Sequence, residues 1–246
     1  MLNDLLLLSG NDIPFVAAQV NIHQPTIKEI AYIGEEAFFT GCQLLNFSKD
    51  ILNEEDKSNL EQLSNFEVLM SIINDKNAAI KKQKVCLVMV LTLIFPTYQI
   101  KLSQNEILFL QDNQVIGKLT KDNFEEFKEI ISTMFCLKSC GGGDDYNPSG
   151  EFAKKIAEKL KERQRRLAEQ KGSSAGKIAI FSRYISILSV GEQKDMNSLL
   201  QYTVYQLFDE FQRYEMKVGF DYYIQAKMAG AKDLKEVDDW MKDIHS

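Results

Sequence analysis

The chain has 246 residues, enough for one large domain or two small ones. Its hydrophobic share of 45% suffices for a real core, and 26% charged residues keep the surface solvated. A net charge of −6 argues against binding of nucleic acid or an anionic membrane by the protein as a whole, and four cysteines, Cys42, Cys86, Cys136 and Cys140, point to free thiols in a reducing compartment instead of a disulfide framework.

Residues 1–22 read as strand or irregular structure. The apolar run Leu5 to Leu8 lacks the basic flank and the length of a signal peptide, and the alternation of Val16, Ala18, Val20 and Ile22 suits a short strand. His23-Gln24-Pro25-Thr26 opens a helix, with proline in the first helical turn. Gly34 separates it from a second helix over 35–45. Residues 46–61 are polar and punctuated, a loop with a helical turn. Ser64 and Glu67 have the spacing of a capping box, so a helix follows through Ile73. Asn77 caps a further helix over 78–95, which Pro96 ends. The run 85–95 is interrupted only by Thr92. It is about half the length of a membrane span and reads as a buried helix. Tyr98, Ile100 and Leu102 alternate with polar residues. Two more short runs, 107–110 and 115–119, flank an Asp112-Asn113 turn, which makes a small antiparallel meander. Asp122 and Glu125 have the spacing of a second capping box. The helix behind it carries Phe124, Phe127, Ile131, Met134 and Phe135 and ends near Leu137.

Residues 138–150, with three consecutive glycines and two aspartates, form the clearest boundary. The expected division is an N-terminal α+β domain over 1–137, a Gly-rich linker over 138–150 and a helical C-terminal region over 151–246. The fold class is therefore mainly α (α+β), a helical protein with one small antiparallel β-meander in the N-terminal half and a helical C-terminal lobe. Within that lobe come a narrow-faced helix over 151–171, a second link over 172–176 and a helix over 177–190 stopped by Gly191. The densest stripe lies in 197–228. Leu200, Val204, Leu207, Phe211, Tyr214 and Val218 recur at alternating spacings of four and three, on one face of a helix. Leu207 and Phe211 are placed in the core. Gly219 interrupts the helix, and Phe220, Tyr223, Ile224 and Met228 restart a shorter stripe. The tail ends in a turn at Asp239, Trp240 and Met241.

The motifs carry little chemistry. The stretch 172–177 has three residues between its glycines where a phosphate-binding loop has four, and no Ser or Thr follows the lysine. Cys136 and Cys140 have no second pair, and His23 and His245 lie at opposite ends, so no zinc donor set forms. No serine or cysteine has an argued histidine partner. The expectation is no catalytic residue, no metal, no cofactor and no enzyme. The helix over 151–171 is locally basic, which admits a phosphate backbone or an acidic partner, but no aromatic platform is interleaved and a solvated helix is favoured. Neighbours on a helix point about 100° apart, so Tyr222 and Tyr223 face different ways. Tyr222, Met228 and Trp240 are therefore candidates for a partner-binding surface, because aromatic and methionine side chains are favoured at interfaces. Packing of all three within the chain or within a homo-oligomer is the alternative.

The stretch from His23 through Ile30, followed by Ile33-Gly34-Glu35, resembles the start of proteins encoded beside the tail tape-measure gene in phages of Gram-positive bacteria. The ending resembles them too, from Tyr205 through Phe211, Ala229 through Leu234, and Trp240 through Asp243. The resemblance implies a tail-assembly chaperone in the host bacterial cytoplasm, non-enzymatic, that binds the tape-measure protein and assists tail-tube assembly. A structural subunit of the tail or baseplate is the alternative, and a nucleic-acid-binding accessory protein a further one.

Overall fold

A computed structural model describes residues 2–46, 63–74, 81–137, 180–231, 234, 237 and 239–242. Over these residues the protein is mainly helical, with two small antiparallel sheets in its N-terminal half. Most of the loop expected over 46–61, the cap at Asn77, the glycine linker and the basic helix 151–171 lie outside the described residues.

The first stretch departs from the strand-like expectation. It opens with helix α1 (Asp4–Ser9), because Asn3 caps it by accepting from the Leu5 N–H at 2.9 Å. Strands β1 (Ile13–Phe15) and β2 (Val20–Ile22) then pair around a 3₁₀ turn, Val16–Ala18, with Ile13 opposite Ile22. Helix α2 (Ile27–Ile33) starts two residues later than a proline at the first helical position suggests. Thr26 sits at its cap, Pro25 lies outside it, and Glu29 completes a capping box. Helix α3 (Glu35–Leu45) has the expected bounds. Helix α4 (Asn65–Asn74) follows the Ser64–Glu67 box: the Ser64 N–H donates to Glu67 at 2.7 Å and the Glu67 N–H to Ser64 Oγ at 3.2 Å. Helix α5 (Lys81–Ile94) stops before Pro96.

The meander forms as expected, from β3 (Gln99–Leu102), β4 (Ile107–Gln111) and β5 (Gln114–Leu119). Asp112 and Asn113 both take positive φ, 50° and 63°, the conformation that a tight two-residue hairpin requires. At Gly117 an added Cβ would lie 2.0 Å from the Ala18 carbonyl oxygen, so only glycine lets β5 lie against the 3₁₀ turn. The second expected capping box does not form. Helix α6 (Phe124–Met134) begins behind Asn123 instead of Asp122, and the buried Asn123 side chain turns away from it. It accepts from the Thr120 N–H at 2.8 Å and donates to the carbonyls of Ala17 and Lys118 at 3.1 and 3.0 Å. Those bonds tie three elements together, which outweighs one local cap.

The remaining described elements are α7 (Ile180–Gly191), α8 (Met196–Leu200) and α9 (Val204–Met228). The stripe read as one helix from 197 is split at 201–203, where Thr203 caps α9 with Gln206. Gly219 does not interrupt α9. An interior glycine costs about 1 kcal/mol relative to alanine, too little to break a helix of 25 residues.

The core is continuous from α1 to α9. Phe38 meets Phe135 edge-on at 4.9 Å, and Phe39 stacks on Phe181 at 5.2 Å. Phe95 meets Phe109 at 4.4 Å. Through Phe181, Leu188, Leu199, Val204 and Leu207, helices α7 to α9 share this core with the N-terminal elements. Leu207 is fully buried, as expected, but Phe211 is only half-buried and lies at the edge of the core.

Candidate functional site

Two regions stand out, a joint near the start of α9 and the far half of the same helix. The joint brings together two stretches that are distant in sequence. Thr26 and Thr203 form an antiparallel bridge, and the Ile27 N–H donates to the Tyr202 carbonyl at 2.8 Å. Each threonine caps its own helix. Thr26 Oγ1 accepts from the Glu29 N–H at 3.2 Å, while Glu29 Oε2 accepts from the Thr26 N–H at 2.7 Å. Thr203 Oγ1 accepts from the Gln206 N–H at 3.3 Å, and Gln206 Oε1 accepts from the Thr203 N–H at 2.8 Å. Gln206 also donates from Nε2 to the Leu8 carbonyl at 2.6 Å, so the cap of α9 holds the end of α1 as well. Both signatures, Thr-x-x-Glu and Thr-x-x-Gln, are visible in the sequence, while Pro25 and the apolar stripe from Leu200 point to earlier helix starts.

Around the joint, polar side chains act as ties. His23 places Nδ1 2.9 Å from Asp12 and Nε2 3.5 Å from Glu29, so both ring nitrogens face carboxylates. The buried Gln24 donates to the carbonyls of Leu6 and Asn11 at 3.0 and 2.6 Å. Burial works to raise the Glu29 pKa, but hydrogen bonds from Thr26 and the charge of His23 outweigh it and hold the carboxyl below its ordinary value. The Tyr205 hydroxyl donates to Asp4 at 3.3 Å, and burial with that carboxylate pushes its pKa well up. Lys194 joins the connection behind α7 to α9. Its ammonium contacts Glu210 directly, lies 3.2 Å from Glu192 and sits 5.7 Å from the centre of the Tyr202 ring. Burial opposes the Lys194 charge, but the two carboxylates prevail and hold its pKa well above the ordinary value. Among the described residues no group of three or more His, Cys, Asp or Glu side chains is placed to hold a metal ion, and no helix is long and apolar enough to cross a membrane.

Beyond the joint, α9 changes character. Val204, Tyr205 and Leu207 are its buried residues, all in the first turn or so. Phe208 and Phe211 pack against α7, where the Tyr184 ring stacks on Phe211 at 3.7 Å and meets Phe208 edge-on at 5.2 Å. Further along, the contacts thin out. The tail returns to the helix, and Arg213 donates to the carbonyls of Trp240 and Lys242 at 2.8 and 2.7 Å. Tyr222 is 67% and Met228 83% exposed. They stand six positions apart, about 120° around the axis, so the structure does not gather them into one patch. Ile224 and Met228, one turn apart, share a face with Asp221 and Lys217, and all four are exposed. Trp240 is half-buried on the tail.

A family model described as the YomV second domain matches residues 171–245, the span that contains α7 to α9 and the tail. No curated protein and no solved structure matches the chain. The family match suggests a phage-related protein.

Proposed function

We propose that the protein is a non-enzymatic assembly factor of phage tail morphogenesis that acts in the host cytoplasm by holding another protein, the tape-measure chain or a tail-tube subunit, on the far half of α9. The observation that carries the reading is the helix itself. Its first turns are locked into the core, while residues 217–228 present Tyr222, Ile224 and Met228 to solvent. A tape-measure chain is a long amphipathic helix whose apolar face needs cover before assembly, and helix-on-helix docking suits a protruding helical face. The phage-related family match falls on this same region. The test is capture of a co-expressed tape-measure fragment by the full chain, together with mass spectrometry of purified virions. Capture with absence from virions supports the chaperone. Presence in virions at stoichiometric amounts favours a structural tail or baseplate subunit. Failure to capture either tail protein sinks the reading. A nucleic-acid role would rest on residues 151–171, outside the described residues.

A further inference from the structure

The end of α9 sends the chain back along the helix. Ala229 caps it and Gly230 takes a positive φ of 82°. The Ala231 N–H donates to the Ala226 carbonyl at 3.0 Å and the Gly230 N–H to that of Lys227 at 3.1 Å. This is a Schellman ending, built on a left-handed glycine that satisfies the last carbonyls and redirects the chain. The tail then meets α9 at two points. A Cβ added at Gly219 would lie 4.0 Å from Val237 Cγ1. Nearer the start of the helix, Arg213 donates to the carbonyls of Trp240 and Lys242. The tail closes a turn on that guanidinium, in which the Asp239 side chain accepts from the Met241 N–H at 2.9 Å and the Asp239 carbonyl from the Lys242 N–H at 3.1 Å. Between the two points on the helix surface lie Met216 and Phe220, both half-buried.

We propose that the turn 239–242 is an intramolecular strap over the amino-terminal part of the docking face of α9, so that the helix holds its partner firmly only when the strap lifts. The inference rests on the role proposed for α9. Arg213, Phe220 and Ile224 fall on one stripe of the helix, which Met228 continues one turn further on. From Arg213 to Met228 that stripe is about 22 Å long, at a rise of about 1.5 Å per residue. With the strap in place only the part beyond Phe220 is open, about 11 Å or two turns. Lifting the strap about doubles the length over which a partner helix finds anchors. The strap is also lightly held. One arginine bonds neutral carbonyls, and the Val237 and Met241 side chains are 41% and 69% exposed, so little apolar surface returns to water when the turn comes away. The apparent affinity for a partner then scales with the fraction of chains whose strap is open.

Trp240 is the single tryptophan of the chain, so intrinsic tryptophan fluorescence reports the strap alone. Two variants of the full chain open it. Arg213→Ala removes the anchor on the helix. Val237→Asp combined with Asp239→Ala loosens the tail and leaves α9 itself unaltered. Both are expected to move Trp240 emission to longer wavelength and to raise its quenching by acrylamide, with unchanged circular dichroism. The tail variant is expected to bind the tape-measure fragment several-fold more tightly than the wild type does. If Arg213→Ala does not fold, the tail variant is read alone. Emission that stays at the wild-type wavelength would mean that there is no strap to lift, and would overturn the inference. A shifted emission without tighter binding would overturn it as well, because the tail would then move without guarding the face, while the docking role of α9 would stand. Binding of the fragment by neither wild type nor variant would sink the docking role, and the strap's function with it.

Discussion

The two halves of α9 are built from the same kinds of residue and have different fates. In the first half Val204, Tyr205 and Leu207 find α1, α6 and α7 around them and are buried. In the second half Phe220, Tyr223 and Ile224 continue a similar stripe, yet none is fully buried and Tyr222 and Met228 stand in solvent. The difference lies in what the rest of the chain supplies. The first half is fixed by a capping box, a bridge to Thr26 and a carbonyl bond to α1. Near the middle of the helix Arg213 holds the returning tail, and the residues beyond it have no comparable tie among the described ones. Apolar periodicity identifies a face, and only the tertiary context says whether the partner for that face lies in the same chain.

Substitutions sharpen this contrast. The largest effect is expected at the buried end. Phe181 is fully buried and joins Phe38, Phe39 and Phe208, so Phe181→Ala should cost about 3–5 kcal/mol in urea unfolding. Phe211→Ala, which removes a half-buried ring stacked on one tyrosine, should cost clearly less than Phe181→Ala in the same experiment. Equal losses would mean that the core reaches further along α9 than its burial indicates. A smaller effect is expected at the joint. Thr203→Ala removes the cap of α9 and should cost about 1 kcal/mol, while Thr203→Ser should restore most of it.

The joint also carries a pH signature. Glu29 is held below its ordinary value of 4.5 in the folded protein, so the folded state binds fewer protons there than the unfolded one. Its contribution is complete above that value and is lost as the pH falls through the lower folded value. The carboxylate is partly exposed, which limits the contribution to about 1 kcal/mol or less. Wild type and Glu29→Gln should therefore differ in urea midpoint at pH 7 and converge in strong acid. A gap that widens on acidification would show that Glu29 does not act as a charged cap.

Much of this architecture was legible from local signals. The Asp112-Asn113 hairpin, the bounds of α3 and the Ser64–Glu67 box each follow from a few neighbouring residues. The departures from local pattern share a cause. Asp122 has the spacing of a cap, but Asn123 displaces it because its amide can reach Ala17, more than a hundred residues away in the chain. Gly219 looks like a break, yet the flanking turns carry the helix through. The joint between Thr26 and Thr203 was written in two capping signatures, but nothing local says that the two caps meet. The candidate surface was legible only as residue types. Tyr222 and Met228 are exposed, while the tail carbonyl of Trp240 is tied to Arg213 and its side chain is half-buried.

The smallest expected effect on stability is therefore at the far end of α9. Tyr222 and Met228 lose little contact with the chain when shortened, and exposed sites away from caps and cores change stability by about 0.5 kcal/mol or less. Alanine is also a better helix former than tyrosine, which offsets part of any loss. Tyr222→Ala combined with Met228→Ala should leave the urea midpoint near that of wild type. The same variant should weaken capture of a tape-measure fragment, because aromatic and methionine side chains dominate the energetics of helix docking. The two readouts separate the explanations. A variant that unfolds as early as Phe211→Ala would show that these side chains are part of the fold. A variant that folds normally and still captures the fragment would move the docking face to another part of the molecule. Only normal folding with lost capture fits a helix whose first half is held by its own chain and whose second half is held out for another.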